Sequence, residues 1–108
     1  MADPVNLSNS LSYVTAFDKD LIAKWNTVIP ILKNHIFSYE EVSPIYAAKY
    51  RFDAYSLFKE CFNIAPNFIY PTMRVNGMDS ITDYDGKVLR FYRLDPATLS
   101  TYYNKFIS

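Results

Sequence analysis

The chain of 108 residues is short of cysteine, histidine, glycine and net charge. Each shortage excludes something. Cys61 is the only cysteine, so no internal disulfide forms and the framework that staples small secreted domains is missing. His35 is the only histidine, and one Cys and one His far apart in sequence make neither a zinc site nor a Cys-His catalytic pair. The two glycines, Gly77 and Gly86, are too few for a glycine-rich phosphate loop or a nucleophile elbow. Eleven basic and eleven acidic side chains cancel, which removes the overall field that would draw in nucleic acid or anionic lipid. No apolar run approaches the roughly 20 residues that cross a bilayer. The opening MADPVNLSNS has neither the charged nor the apolar region of a signal peptide. These absences lead to an expectation of a non-enzymatic chain with no cofactor, metal or membrane, placed in the cytoplasm or in a virion assembled there.

Aromatic residues, by contrast, are abundant: 10 Tyr and 8 Phe contribute to an aromatic share of 18%, well outside the composition of disordered chains. Residues 1–12 are small and polar and read as an extended arm, and residues 13–108 as one α+β domain. Leu21, Ile22, Trp25, Val28, Ile29 and Leu32 recur at spacings of three and four, predicting a helix over about 15–32 capped by Asp18 or Thr15. Pro30 falls within that stripe and predicts an end or a bend near 27–30. Ser43-Pro44 and Asp53 are cap signals for two short helices, 44–50 and 54–62. Asp95-Pro96, followed by Leu99, Tyr102, Tyr103 and Phe106, predicts a last helix over 96–106.

Strands are expected near 36–42, 71–75, 78–84 and 87–94. The dipeptides Asn76-Gly77 and Asp85-Gly86 favour type I′ turns, so the second half reads as a small antiparallel meander. Asn63 suits the left-handed close of the 54–62 helix. Pro66 and Pro71 bias Ala65 and Tyr70 away from helix and send the chain into the strand at 71–75. Asp79, Asp83 and Asp85 lack calcium-loop spacing and read as turn residues. Adjacent Glu40 and Glu41 point to opposite faces of a strand, which makes them a poor acid-base pair.

Cations and rings interleave around residues 87–93. On a strand Arg90 shares a face with Tyr92, and Phe91 with Arg93, so no one-faced platform for stacking bases forms. A protein interface is the better use of these residues. The expected contact set is Tyr92, Arg90, Arg93, Tyr102, Tyr103 and Phe106.

The segment from Ile36 to Val75 contains IYAAKY at 45–50 and NIAPNFIYPTMRV at 63–75. It resembles a LysM module, whose ending has the form N…PN.IYPG..L. The resemblance covers about 40 residues and departs from the family at EEVS in place of the first loop, at Arg51 and at Thr72, where glycines are usual. It implies either a packing unit of the kind found in small phage tail and baseplate proteins or a glycan-binding groove. That groove would involve Glu41, Val42, Ser43, Phe68, Ile69 and Tyr70. The leading expectation is a structural subunit of a larger assembly with protein partners, a phage tail or baseplate being the specific case. A peptidoglycan-binding module and a small regulator of a cellular protein are the alternatives.

Overall fold

The computed structural model describes residues 16–107, so the 1–12 arm and the Thr15 cap lie outside the described residues. The chain is an α+β domain in which helices pack against one side of a two-stranded antiparallel sheet.

Helix α1 spans Lys19–Leu32, and the Asp18 carboxylate accepts from the Asp20 and Leu21 N–H groups. Trp25, Val28, Ile29 and Leu32 form its buried stripe. Pro30 neither ends the helix nor shortens it; the helix runs two residues beyond. An interior proline costs ~3 kcal/mol, while each large apolar side chain fully buried contributes about 1.5–3 kcal/mol, so the stripe outweighs the break.

Strand β1, Ile36–Glu41, leads into α2, Pro44–Lys49, where the Ser43 hydroxyl accepts from the Tyr46 N–H. Helix α3, Ala54–Ser56, is capped by Asp53 and widens into a π turn at Leu57–Cys61. Asn63 then takes φ 53, the left-handed close expected of it.

The main departure from the expected fold follows. Pro66–Val75 is helix α4, not the approach to a strand, so the strand expected at 71–75 is absent. Pro66 takes the first helical position, where its missing N–H costs nothing, and Ala65 before it is extended as the proline requires. Tyr70, before Pro71, is helical all the same. Ile69, Tyr70 and Met73 lie at helical spacing and are buried, which offsets the bond forfeited at Pro71.

Asn76-Gly77 is therefore a helix terminus rather than a hairpin turn, with Gly77 at φ 81 just past the cap. The strand expected at 78–84 is replaced by a loop with a 3₁₀ turn at Ile81–Asp83. Only the end of the last expected strand pairs: β2, Arg90–Leu94, lies antiparallel to β1. Helix α5, Pro96–Tyr102, capped by Asp95, continues as a π turn to Ile107.

The core joins Trp25 and Leu32 of α1, Leu57 and Phe58 after α3, Ile69 and Met73 of α4, and Leu94 of β2. At its centre the Phe91 ring lies 5.5 Å from each of Phe58, Phe62 and Tyr84. Between α1 and α4 the Tyr70 hydroxyl donates to Asn26 Oδ1 at 2.7 Å, and the Arg74 guanidinium donates to that hydroxyl at 3.4 Å.

Candidate protein interface

The β1–β2 register pairs Tyr39 with Tyr92, Glu40 with Phe91 and Glu41 with Arg90. Side chains alternate across a strand, so Phe91 enters the core while Tyr92 and Arg90 face away from it. On the outer face the Tyr39 and Tyr92 rings lie 5.1 Å apart, and the Arg90 guanidinium sits 3.9 Å from the Tyr39 ring centroid. Phe37 is 66% exposed, Tyr39 53% and Tyr92 41%. Val88 and Leu89, just before β2, are exposed as well. Water covers three large rings on one short sheet whose other side packs on the core.

The strand edges differ. In an antiparallel pair, residues alternate between those bonded to the facing strand and those whose backbone groups point outward. The Val42 N–H donates to the Leu89 carbonyl at 2.8 Å, so the outward set comprises Tyr39 and Glu41 on β1 and Arg90 and Tyr92 on β2. The side chain of Asn76 covers the β2 edge, its Oδ1 accepting from the Tyr92 N–H at 2.7 Å and its Nδ2 donating to the Tyr92 carbonyl at 3.0 Å. One amide thus takes the place of a third strand at Tyr92. Among the described residues nothing does the same for Tyr39 and Glu41 on the outer edge of β1.

The expected contact set divides between surface and interior. Arg90 and Tyr92 belong to the exposed face. Arg93 points to the other side, half-buried in an ion pair with Glu40. Tyr103 is half-buried against the core, 6.0 Å from Phe68 and 6.3 Å from Trp25. Tyr102 is half-buried and lines a shallow cleft with Ile31 and Thr98. The side chain of Phe106 lies outside the described residues. Phe37, Tyr39 and Asn76 complete the face and its edge, and sequence reading of the contact set missed them. The sequence places Phe37 and Tyr39 on one face of the 36–42 strand, but the pairing that sets Tyr39 beside Tyr92 is not visible in it.

The residues of the glycan groove do not converge. Glu41, Val42 and Ser43 line an open cavity of about 500 Å³ together with Tyr46, Glu60 and Cys61. Phe68 instead borders a separate apolar cavity of about 190 Å³ with Leu94 and Leu99, while Ile69 and Tyr70 are buried. Burial raises the Cys61 thiol pKa against a smaller opposing pull from Lys49, which keeps the group protonated and a poor nucleophile at neutral pH. Among the described residues no group of three or more His, Cys, Asp and Glu side chains could hold a metal ion, and no helix is long and apolar enough to cross a membrane. No known protein family, curated protein or solved structure matches the chain.

Proposed function

We propose that this protein is a non-enzymatic subunit of a larger protein assembly and binds its protein neighbours through the outer face and open edge of the two-stranded sheet. The observation that carries the reading is the combination of Tyr39 and Tyr92, exposed side by side, and Phe37, exposed on the same strand as Tyr39, with a strand edge that no described residue covers. Contiguous exposed rings are costly in water and characteristic of interfaces, where aromatic side chains bury much area with few torsions to fix. An open edge adds directional backbone bonds to that apolar attraction. The LysM-like resemblance of residues 36–75 suggests a phage tail or baseplate as the assembly. A regulator of a cellular protein would use the same surface.

Sedimentation of the purified chain over a wide concentration range, with a hydrophobic dye titration alongside, tests the reading. The expected result is association on concentration and dye binding that falls when Phe37 and Tyr92 are both changed to Ser. A monodisperse monomer at high concentration that binds no dye overturns it.

A further inference from the structure

We propose that a second copy of this chain docks on the outer edge of β1, antiparallel and with Tyr39 on the two-fold axis, joining two sheets into one of four strands. The inference deepens the assembly reading and rests on it.

Backbone geometry restricts the possible pairings. The outward groups of β1 belong to Tyr39 and Glu41, so any strand added there bonds to these odd-numbered positions. A two-fold axis then passes through one residue and its own copy, and the sequence of β1 discriminates among the choices. With the axis at Glu41, Glu41 faces itself; with the axis at Glu40, Glu40 faces itself. Like charges directly opposite destabilise a pair of strands. With the axis at Ser38, the flanking Phe37 must enter the ladder, but the register slips between Ile36 and Ser38, leaving Phe37 as the extra residue of a bulge. Tyr39 remains. An axis there sets Tyr39 against Tyr39, Ser38 against Glu40 and Glu41 against Phe37, with no like charges opposed and the bulge at the end of the pairing.

The same register extends the aromatic face. Tyr92, Tyr39 and their two copies line up across four strands on one side, and the ring pair already present at 5.1 Å becomes half of a continuous row. Such an interface is isologous, which closes at a dimer. The chain's zero net charge opposes no such approach.

Charge exchange at position 39 tests the axis. Tyr39→Lys and Tyr39→Glu each place like charges across it, and each is expected to weaken the dimer by about tenfold. An equimolar mixture is expected to recover the association as a heterodimer, and Tyr39→Phe to retain it. Hydrogen exchange on the unaltered chain gives an independent reading, which holds even if a variant fails to fold. The Tyr39 amide, which bonds across the axis without help from the bulged Phe37, is expected to exchange quickly when dilute and slowly when concentrated, while the Glu40 and Val42 amides change little. Association that neither charge weakens, or that the mixture fails to restore, overturns the Tyr39 axis and leaves the assembly reading standing. A monomer at high concentration that still binds dye overturns self-pairing alone, and one that binds no dye overturns both.

Discussion

Phe52 occupies the left-handed region at φ 61, a conformation that a bulky residue adopts only where its surroundings impose it. Its N–H donates to the Tyr84 carbonyl at 2.9 Å, fastening the end of α2 to the loop before β2. The ring itself is 52% exposed beneath the Arg51 guanidinium at 4.6 Å, so it contributes little to the core. Phe52→Gly keeps the backbone bond and relieves the strain. We expect it to raise stability by about 0.5–1 kcal/mol in urea unfolding, the left-handed penalty less a weak exposed cation–π contact. A lower midpoint for Phe52→Gly would mean that the ring does more than its exposure suggests.

Titration at the two ends of the pH scale reads the same loop. Backbone N–H groups of Asp79 and Ser80 donate to Asp83, and those of Lys87 and Val88 to Asp85, holding both carboxyls below the usual aspartate value. Their contribution is present above the unfolded pKa and is lost as pH falls through the lower folded values. Burial, aided by Asp85 and Cys61, pushes the Tyr84 phenol up to about 12 from 10.0. Folding then favours the protonated phenol, so this contribution is complete below pH 10 and disappears as pH climbs towards 12. Thermal midpoints in a pH series should fall at both extremes, and Tyr84→Phe should abolish the alkaline fall attributable to this group.

Among the elements, α4 shows what local sequence conveys and what it withholds. Cap chemistry is local, so the starts at Asp18, Ser43, Asp53 and Asp95 were legible, as was the turn at Asn63. The fate of PNFIYPTMRV depends on α1 and β2 packing around it, which no window of ten residues contains. A strand expected at 71–75 makes Asn76-Gly77 a hairpin turn, whereas the helix that is there makes it a terminus: the same dipeptide serves both. At the interface the face rule separated Arg90 and Tyr92 from Phe91 correctly. Arg93 lies on the Phe91 side, as the same rule expects, but its ion pair with Glu40, on a strand 53 residues away, is not visible in the local sequence.

Two substitutions probe these elements. Asn76→Ala removes the amide that closes the β2 edge and also donates to the Thr72 carbonyl at 2.8 Å. We expect a loss of about 1–3 kcal/mol in urea unfolding, with the Tyr92 amide gaining exchange. Pro30 is exposed, so Pro30→Ala restores a backbone donor to α1 and leaves no cavity. A gain of about 1–2 kcal/mol is expected, the proline's helix cost less the entropy it removes from the unfolded chain. A helix that gained nothing would show that α1 is already bent at Pro30 in a way alanine cannot repair.

At the scale of the whole molecule, the sheet is a thin layer with a packed side and a bare side, and neighbouring residues of β2 report on each. Phe91 is 2% exposed and meets three other rings, so Phe91→Ala opens a cavity at the centre of the core. The expected loss is about 3–5 kcal/mol, with cooperative unfolding at a lower midpoint. Tyr92 is the next residue along the same strand, yet its ring is 41% exposed and packs on Tyr39 on the water side, and the bonds from Asn76 hold its backbone whatever the side chain. Tyr92→Ala should therefore cost less than about 1 kcal/mol, the worth of one cross-strand aromatic pair. Its effect belongs to association, which should weaken in sedimentation while the unfolding midpoint barely moves. The two readouts must separate between residues one position apart. If Tyr92→Ala unfolded the chain as Phe91→Ala does, the outer face would be part of the monomer's own stability rather than a surface kept for a neighbour.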